Sequence, residues 1–405
     1  MSGHDPTELL LMPSLRAMQG PNGGLVLTRK YLSGVERFSN HWPGPVTSLV
    51  RLDEVPTTDM DHVEVMPDAT RPGIELRPDD RAAFIRRISN AAAVTLFLSR
   101  DEAPTARLCH AMGVPVVFVS EYTARTERQI VRAQTSNPVL RMRRFVWIAR
   151  TEAARRRVLP LAAGLQCSGT PTFDAYEGLN PNRLLFFDNR VPEADVLTET
   201  ALAAKAAALH KGRPLRLVFG GRLIEMKGVM DLPELAEGLR RRGVPFTLDI
   251  YGSGPLAPAL AARISALGLT DPVRLRGAVD FATEWIPALK SDADLFVCCH
   301  PQGDPSSTYP EVMSCGLPIA GYGNEAFAGI LRHSGAGWSV PIHDHGALAD
   351  EITRLHTYRT EIVDRAARAR AFAAEHAFER TAARRVGHYI AASRLPPSLK
   401  SRAPG

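Results

Sequence analysis

Cysteine is scarce in this 405-residue sequence: there are five, and none sits in a Cys-x-x-Cys pair. A disulfide scaffold, a zinc ribbon and a thioredoxin-type redox site therefore have no residues to build on, and the thiols read as isolated buried groups. No apolar run approaches the ~20 residues of a membrane-spanning helix. Met1–Thr7 is polar and acidic rather than basic and then apolar, so no secretory signal is expected there. The expected location is the cytoplasm, with peripheral attachment to the inner face of a membrane left open. Heptads and internal repeats are absent. Apolar residues make up 45% and charged residues 23%, with a net charge of +6, which is ordinary for a globular protein and excludes a disordered chain. The length suits two or three domains at ~150 residues each.

What is present is a series of short aliphatic runs separated by Ala-rich amphipathic stretches. Strands are expected at Leu9–Met12, Val46–Leu52, Val94–Leu98, Val114–Val119, Phe145–Ile148 and Leu184–Phe187. A second, more regular series is expected at Leu215–Phe219, Phe246–Tyr251, Val273–Arg276, Leu295–Cys298 and Leu317–Gly321. Helical patterns lie at Glu199–Leu209, Asp231–Arg242, Leu256–Leu267 and Glu379–Ser393. Short buried strands alternating with helices predict an α/β fold of two Rossmann-like, doubly wound domains facing a central cleft. The expected boundaries are 1–195 and 196–378 for the two domains, 379–395 for a final helix and 396–405 for a flexible tail. Ligands of such sheets bind at the carboxyl ends of the strands, so the residues leaving those ends carry the functional argument.

Three segments stand out there. In Phe219-Gly220-Gly221-Arg222-Leu223-Ile224-Glu225-Met226-Lys227-Gly228 a buried strand runs into a glycine pair, and Arg222 and Lys227 follow five residues apart. Glycines let a backbone approach a ligand closely, the guanidinium fork matches phosphate oxygens and lysine adds a point charge. No Ser or Thr follows the lysine, so this is not a Walker A loop. The bland alternative is a turn with solvated charges. In Tyr251-Gly252-Ser253-Gly254-Pro255 a strand again ends in glycines, which alone reads as a tight turn. In the third, Cys298 to Pro318, a strand exits into a polar loop and a short helix. Ser306, Ser307 and Thr308 stand near that helix's N-terminus, where free N–H groups favour an anion. Glu311, one turn in, suits the two hydroxyls of a ribose. Otherwise Ser306 is an N-cap, and Glu311 a helix-surface charge.

Gly-Gly-Arg-Leu…Lys-Gly, Gly-Ser-Gly-Pro, Ala-Asp-Leu-Phe-Val and Glu-Val-Met-Ser-Cys-Gly-Leu-Pro follow one another between about Arg216 and Val340. In this order and spacing they resemble the family 4 retaining glycosyltransferases, group 1, of the GT-B fold. The first ~200 residues match only in outline. The resemblance implies that Arg222 and Lys227 neutralise a departing nucleoside diphosphate and that Glu311 holds the donor ribose. It also implies that Gly277, Ala278 and Val279 bracket the base, with Gly221, Gly252, Gly254, Ser306, Ser307 and Thr308 on the donor. Gly23 and Gly24 resemble the N-terminal glycine loop that reaches toward the phosphates, although the GxGxxG spacing is absent. The final helix is implied to cross back to the first domain. One departure is clear. The family carries a second glutamate eight positions before Glu311, and here Gly303 stands there. Asp304, adjacent, is read as a shifted substitute placed near the donor sugar; the alternative is an Asp capping the following turn. The family's N-terminal-half histidine is also missing, leaving Glu121 and Tyr122 as acceptor-side candidates.

The implied activity is transfer of a hexose from a nucleotide-sugar to a saccharide or lipid-linked acceptor, with retention and without metal or other cofactor. Bacterial polysaccharide or glycoconjugate synthesis is the expected setting. Three alternatives stay open: a nucleotide-sugar 2-epimerase, a sugar phosphorylase, or a non-catalytic nucleotide-sugar-binding subunit. Asp59-Met60-Asp61 and Asp292-Ala293-Asp294 are DxD strings, but the second precedes a strand at the wrong end for the cleft and no metal is assigned. His343-Asp344-His345 lacks further ligands. Between Arg125 and Arg157 ten arginines face only Glu127 and Glu152, with Phe145 to Ile148 among them. An anionic membrane surface fits that balance, as do solvated helix faces. Nucleic acid is not expected, since no binding motif accompanies the charge.

Overall fold

The computed structural model describes residues 7–53, 62–66 and 72–395. Asp59–Asp61 and the 396–405 tail lie outside the described residues. The first sheet is built from β1 (Glu8–Met12), β2 (Arg16–Gln19), β3 (Leu25–Thr28), β4 (Val46–Leu52), β5 (His62–Val65), β6 (Gly73–Leu76), β7 (Ala91–Phe97), β8 (Val116–Ser120), β9 (Gly164–Ser168) and β10 (Arg183–Phe186). Its order is β10-β9-β8-β7-β1-β4-β2-β3-β5, with β6 beside β4. The path from β10 to β4 is parallel, and only β3 runs antiparallel to its neighbours β2 and β5. Leu9 and Leu10, on opposite faces of β1, are both fully buried, as a strand covered on both sides requires. The helices of this half are α1 (Arg29–Ser39), α2 (Arg81–Ser89), α3 (Ala103–Ala111), α4 (Ala124–Gln134), α5 (Pro138–Val158) and α6 (Thr170–Ala175).

The second sheet is wholly parallel, in the order β13-β12-β11-β14-β15-β16. Its strands are β11 (Leu215–Gly220), β12 (Phe246–Tyr251), β13 (Val273–Gly277), β14 (Leu295–Cys298), β15 (Ile319–Tyr322) and β16 (Gly337–Val340). Around it lie α7 (Glu199–His210), α8 (Asp231–Arg241), α9 (Ala257–Ala266), α10 (Ile286–Asp292), α11 (Thr308–Ser314), α12 (Glu325–Ser334), α13 (His345–Thr357) and α14 (Arg359–Glu375). The strand order reverses at β11/β14, which opens a crevice at the carboxyl edge. The last helix, α15 (Phe378–Ser393), returns to the first sheet. Its Val386, Tyr389 and Ala392 are buried with Leu9, Leu11, Val46 and Ala93.

Two local expectations are corrected. Phe145–Ile148 is not a strand but the middle of α5. Asn137 caps that helix by accepting the N–H groups of Val139 and Leu140, and Pro138 supplies a preset first turn. A four-residue apolar run carries no period of its own. The strand expected from Leu317 begins at Ile319. The short strands β2, β3, β5, β6, β9 and β16 were not foreseen.

The two glycine loops of the second sheet run against each other. Gly221 N–H donates to Tyr251 O (3.1 Å), Gly252 N–H to Gly277 O (2.7 Å) and Leu223 N–H to Ser253 O (2.8 Å). A Cβ on Gly252 would stand 1.9 Å from Gly221 O, at a φ of +130° that side chains rarely adopt. Gly252→Ala should therefore destabilise the protein by on the order of 3 kcal/mol through overpacking and backbone strain, read as a lowered melting temperature; an unchanged melt would refute the close approach.

Candidate functional site

The carboxyl ends of both sheets face one cleft. From the second sheet, β11 delivers Gly221, Arg222 and Lys227, β12 delivers Gly252 and Gly254, and β13 ends on Gly277, followed by Ala278 and Val279. The loop after β14 delivers Asp304 and Ser306, and α11 delivers Glu311. The backbone bonds between the glycine loops place these segments side by side on one edge. Arg222 is exposed, whereas Lys227 is 9% exposed. Lys227 Nζ donates to Asp304 Oδ2 at 2.8 Å and to Ser306 Oγ at 3.4 Å. Asp304 is thus no turn cap: its carboxylate is spent on the lysine. Ser306 is not the N-cap of α11 either. That place is taken by Ser307, whose side chain makes no capping bond.

Glu311 is 2% exposed, which excludes a helix-surface role. Arg190, just past β10, meets it through Nε–Oε1 at 2.7 Å and Nη2–Oε2 at 3.5 Å. The same guanidinium lies 3.9 Å from the centre of the Phe281 ring, a cation–π contact two residues beyond Val279. Beside it Lys30 Nζ donates to Asp188 Oδ2 at 2.6 Å. Burial opposes both of these charges, yet each holds the other ionised, so Lys30 is raised and Asp188 lowered from their ordinary values. Arg190, Lys30 and Asp188 were missed in the sequence. The signal was there: the run Phe187-Asp188-Asn189-Arg190 leaves a half-buried aliphatic strand with charged residues at its carboxyl end.

The structure also accounts for Gly303. A Cβ at that position would meet Glu325 Oε2 at 3.0 Å and Thr126 Oγ1 at 3.3 Å. Gly303 N–H donates to Gln129 Oε1 (3.2 Å), and its carbonyl accepts from Thr126 (3.4 Å), so α4 presses the loop from the other half. A side chain there would be crowded, and the acidic group facing Lys227 is Asp304.

Glu121 and Tyr122 follow β8. Glu121 lines a cavity of about 480 Å³ at the carboxyl edge of the first sheet, together with Met12, Lys30, Phe97, Asp188 and Arg190. Burial, then the nearby Asp304 charge, pushes its carboxyl pKa up. Burial and Asp304 likewise raise Tyr122, which Arg222 partly offsets. Gly23 and Gly24 lie at the tip of the β2–β3 hairpin. Gly24 N–H and Asn22 N–H both go to Glu64 Oε1 at 3.0 Å. Asp294 is engaged at 2.6 Å by both terminal nitrogens of Arg213. His343 leans on Asp231 at 3.3 Å, and Asp344 caps α13. Among the described residues no group of three or more His, Cys, Asp or Glu could hold a metal ion.

Residues 214–357 match the family described as glycosyl transferases group 1. The whole chain has the GT-B fold: it is similar to HepE of Anabaena, solved with UDP, at a TM-score of 0.62 and 13% identity over 95% of this chain and 99% of that one. It is also similar to sucrose-phosphate synthase of Thermosynechococcus elongatus, at a TM-score of 0.57 and 14% identity over 95% and 98%. In sequence it is 30% identical over 162 residues to the amylovoran biosynthesis glycosyltransferase AmsK of Erwinia amylovora, covering 38% of this chain and 39% of that one. It is 29% identical over 143 residues to the alpha-D-kanosaminyltransferase of Streptomyces kanamyceticus, covering 35% and 36%. The matched stretch spans little more than a third of either relative's length.

The raised Glu121 carboxyl gives a signed pH effect. Below its ordinary value of 4.5 the group is protonated folded and unfolded alike. As pH rises, the unfolded chain releases the proton first, so stability falls until the folded pKa is passed. Glu121→Gln removes that loss. Its melting temperature should equal that of the wild type at pH ~4 and exceed it at pH ~8; the same difference at both would show that the Glu121 carboxyl titrates alike folded and unfolded.

Proposed function

We propose that the protein is a retaining glycosyltransferase that moves a hexose from a nucleoside-diphosphate sugar to a saccharide or lipid-linked acceptor in bacterial polysaccharide or glycoconjugate synthesis. One observation carries this: within the matched region 214–357 the segments leaving β11, β12 and β14 lie at one strand edge, where Lys227 meets Asp304 and Glu311 meets Arg190 of the first half. The nucleotide-sugar assignment is supported by HepE, whose solved forms hold UDP and UDP-glucose. The polysaccharide setting is supported by AmsK and by the putative colanic acid biosynthesis glycosyltransferase WcaL of Escherichia coli, 27% identical over 154 residues.

In this reading the diphosphate lies on the Gly221 and Gly252 loops, and Glu311 exchanges Arg190 for the ribose hydroxyls. Lys227 and Arg222 meet the charge that develops as the bond from the anomeric carbon to the diphosphate breaks. The acceptor oxygen bonds to that carbon on the same face, and its proton passes to the departing phosphate oxygen. No protein base is required. The cations supply the charge compensation without a metal. The acceptor enters from the cavity side, where Glu121 and Tyr122 stand.

The first test is thermal stability against a panel of nucleoside diphosphates and their sugars, with and without Mg²⁺. A ligand at ~100 Kd adds about 2.7 kcal/mol to a protein that binds it only when folded, and uridine compounds are expected to lead. No shift with any nucleotide would overturn the assignment. Turnover of donor alone would favour an epimerase, and dependence on inorganic phosphate a phosphorylase. Lys227→Ala should lower transfer by about 10²–10³-fold, the loss typical of removing one group that stabilises developing charge, with the fold intact by circular dichroism. Asp304→Ala should impair transfer more than nucleotide binding; unchanged transfer would remove it from the site.

A further inference from the structure

Helix α5 is amphipathic in an unusual sense. Its inner face is ordinary, with Ile148, Thr151, Arg155 and Val158 buried. At 3.6 residues per turn, the opposite face carries Val139, Met142, Arg143, Val146, Arg150 and Arg157, flanked by Trp147. Val139 is 69% exposed, Met142 63%, Val146 44% and Trp147 51%. Arg143, Arg150 and Arg157 are exposed as well. Of the eleven large hydrophobic residues exposed among the described residues, five lie on this one helix. Single exposed apolar residues need no explanation, but a contiguous patch marks an interaction surface.

Charge selects the partner. The α4–α5 hairpin holds ten arginines against two glutamates. Both glutamates are already engaged: Glu127 by Arg155 at 2.6 Å, and Glu152 by Arg156 at 2.7 Å. No acidic side chain stands on the outward face, so two copies of it would repel each other. A strongly basic face with interleaved apolar and Trp side chains is what an anionic interface accepts, the apolar groups entering the headgroup boundary and the guanidinium groups meeting lipid phosphates.

We propose that the outer face of α5 docks the protein on an anionic lipid bilayer, lying in its surface rather than crossing it. Among the described residues no helix is long and apolar enough to cross. The position is apt. The hairpin starts directly after Glu121 and Tyr122, and Thr126 and Gln129 touch Gly303 at the cleft. Docking there brings the cleft mouth to the bilayer, which would suit a lipid-linked acceptor. That corollary rests on the transferase reading, but the docking itself does not.

The test is co-sedimentation of the full-length protein with phosphatidylcholine vesicles, with and without phosphatidylglycerol, at low and high salt. Binding to the anionic vesicles alone, weakened by salt, is expected. Trp147 is the exposed one of the four tryptophans; Trp42, Trp285 and Trp338 are 6–7% exposed. Emission should therefore shift to the blue on binding, and Trp147→Phe should bind but lose the shift. Arg143→Glu with Arg150→Glu should weaken partitioning about tenfold or more, with an unchanged melt because both side chains are exposed. Three results would overturn the proposal: no binding to anionic vesicles, equal binding by the charge-reversed variant, or capture of single-stranded RNA by this face while vesicles are ignored. Self-association without vesicles that Val146→Glu abolishes would overturn it too, in favour of a second copy. None of these outcomes depends on nucleotide binding, so failure here leaves the transferase reading standing.

Discussion

A carboxylate buried as deeply as Glu311 must be met by a cation, because an unpaired charge in a protein interior costs several kcal/mol. Arg190 meets it, from the segment that leaves the first sheet. That single requirement ties the two halves together at their carboxyl edges. The guanidinium is fixed further by the Phe281 ring and stands beside the Lys30–Asp188 pair. Charges thus alternate across the cleft, and none of these groups is left without a counterpart. In the transferase reading Arg190 holds the seat of the donor ribose, so donor binding becomes an exchange of partners at Glu311 rather than the solvation of a bare charge.

The second pair, Lys227–Asp304, sits in a loop that the first half also grips. Helix α4 crosses from the first half and takes the N–H and the carbonyl of Gly303 through Gln129 and Thr126. With Glu325 on the other side, even a Cβ at Gly303 is crowded. Asp304, the next residue, accepts from Lys227 Nζ at 2.8 Å. Contact between halves and placement of the carboxylate are therefore one structural event. The same helix opens into α5, whose basic outer face looks away from the core. The segment that shapes the cleft loop thus leads into the helix that carries five of the eleven large hydrophobics exposed among the described residues.

Much of the second half was legible because its signals are local. Buried parallel strands must be apolar on both faces, so β11, β12, β13 and β14 announce themselves as short aliphatic runs. Glycines at their ends mark close backbone approach, and the loops they open do meet. The first half was less legible. The strands β2, β3, β5 and β6 are short and half exposed, so their apolar content barely rises above that of a loop. Phe145–Ile148 misled because four apolar residues fit a strand as well as two faces of a helix. The capping pair Asn137-Pro138, seven residues earlier, was the better guide. In the Gly23-Gly24 turn the Gly24 N–H goes to Glu64, forty positions away, a partner that no local pattern announces.

By itself, the sequence determined the α/β class, the doubly wound second half and the glycine-marked ends of its strands. Each of these follows from periodicity or glycine within a few residues of the chain. The tertiary structure alone decided which charged groups are partners. Arg190 with Glu311, Lys30 with Asp188 and Lys227 with Asp304 are separated by 121, 158 and 77 residues. Burial is a property of the packed whole, so no local pattern distinguishes the carboxylate of Glu311, sealed at 2% exposure, from one on a helix surface.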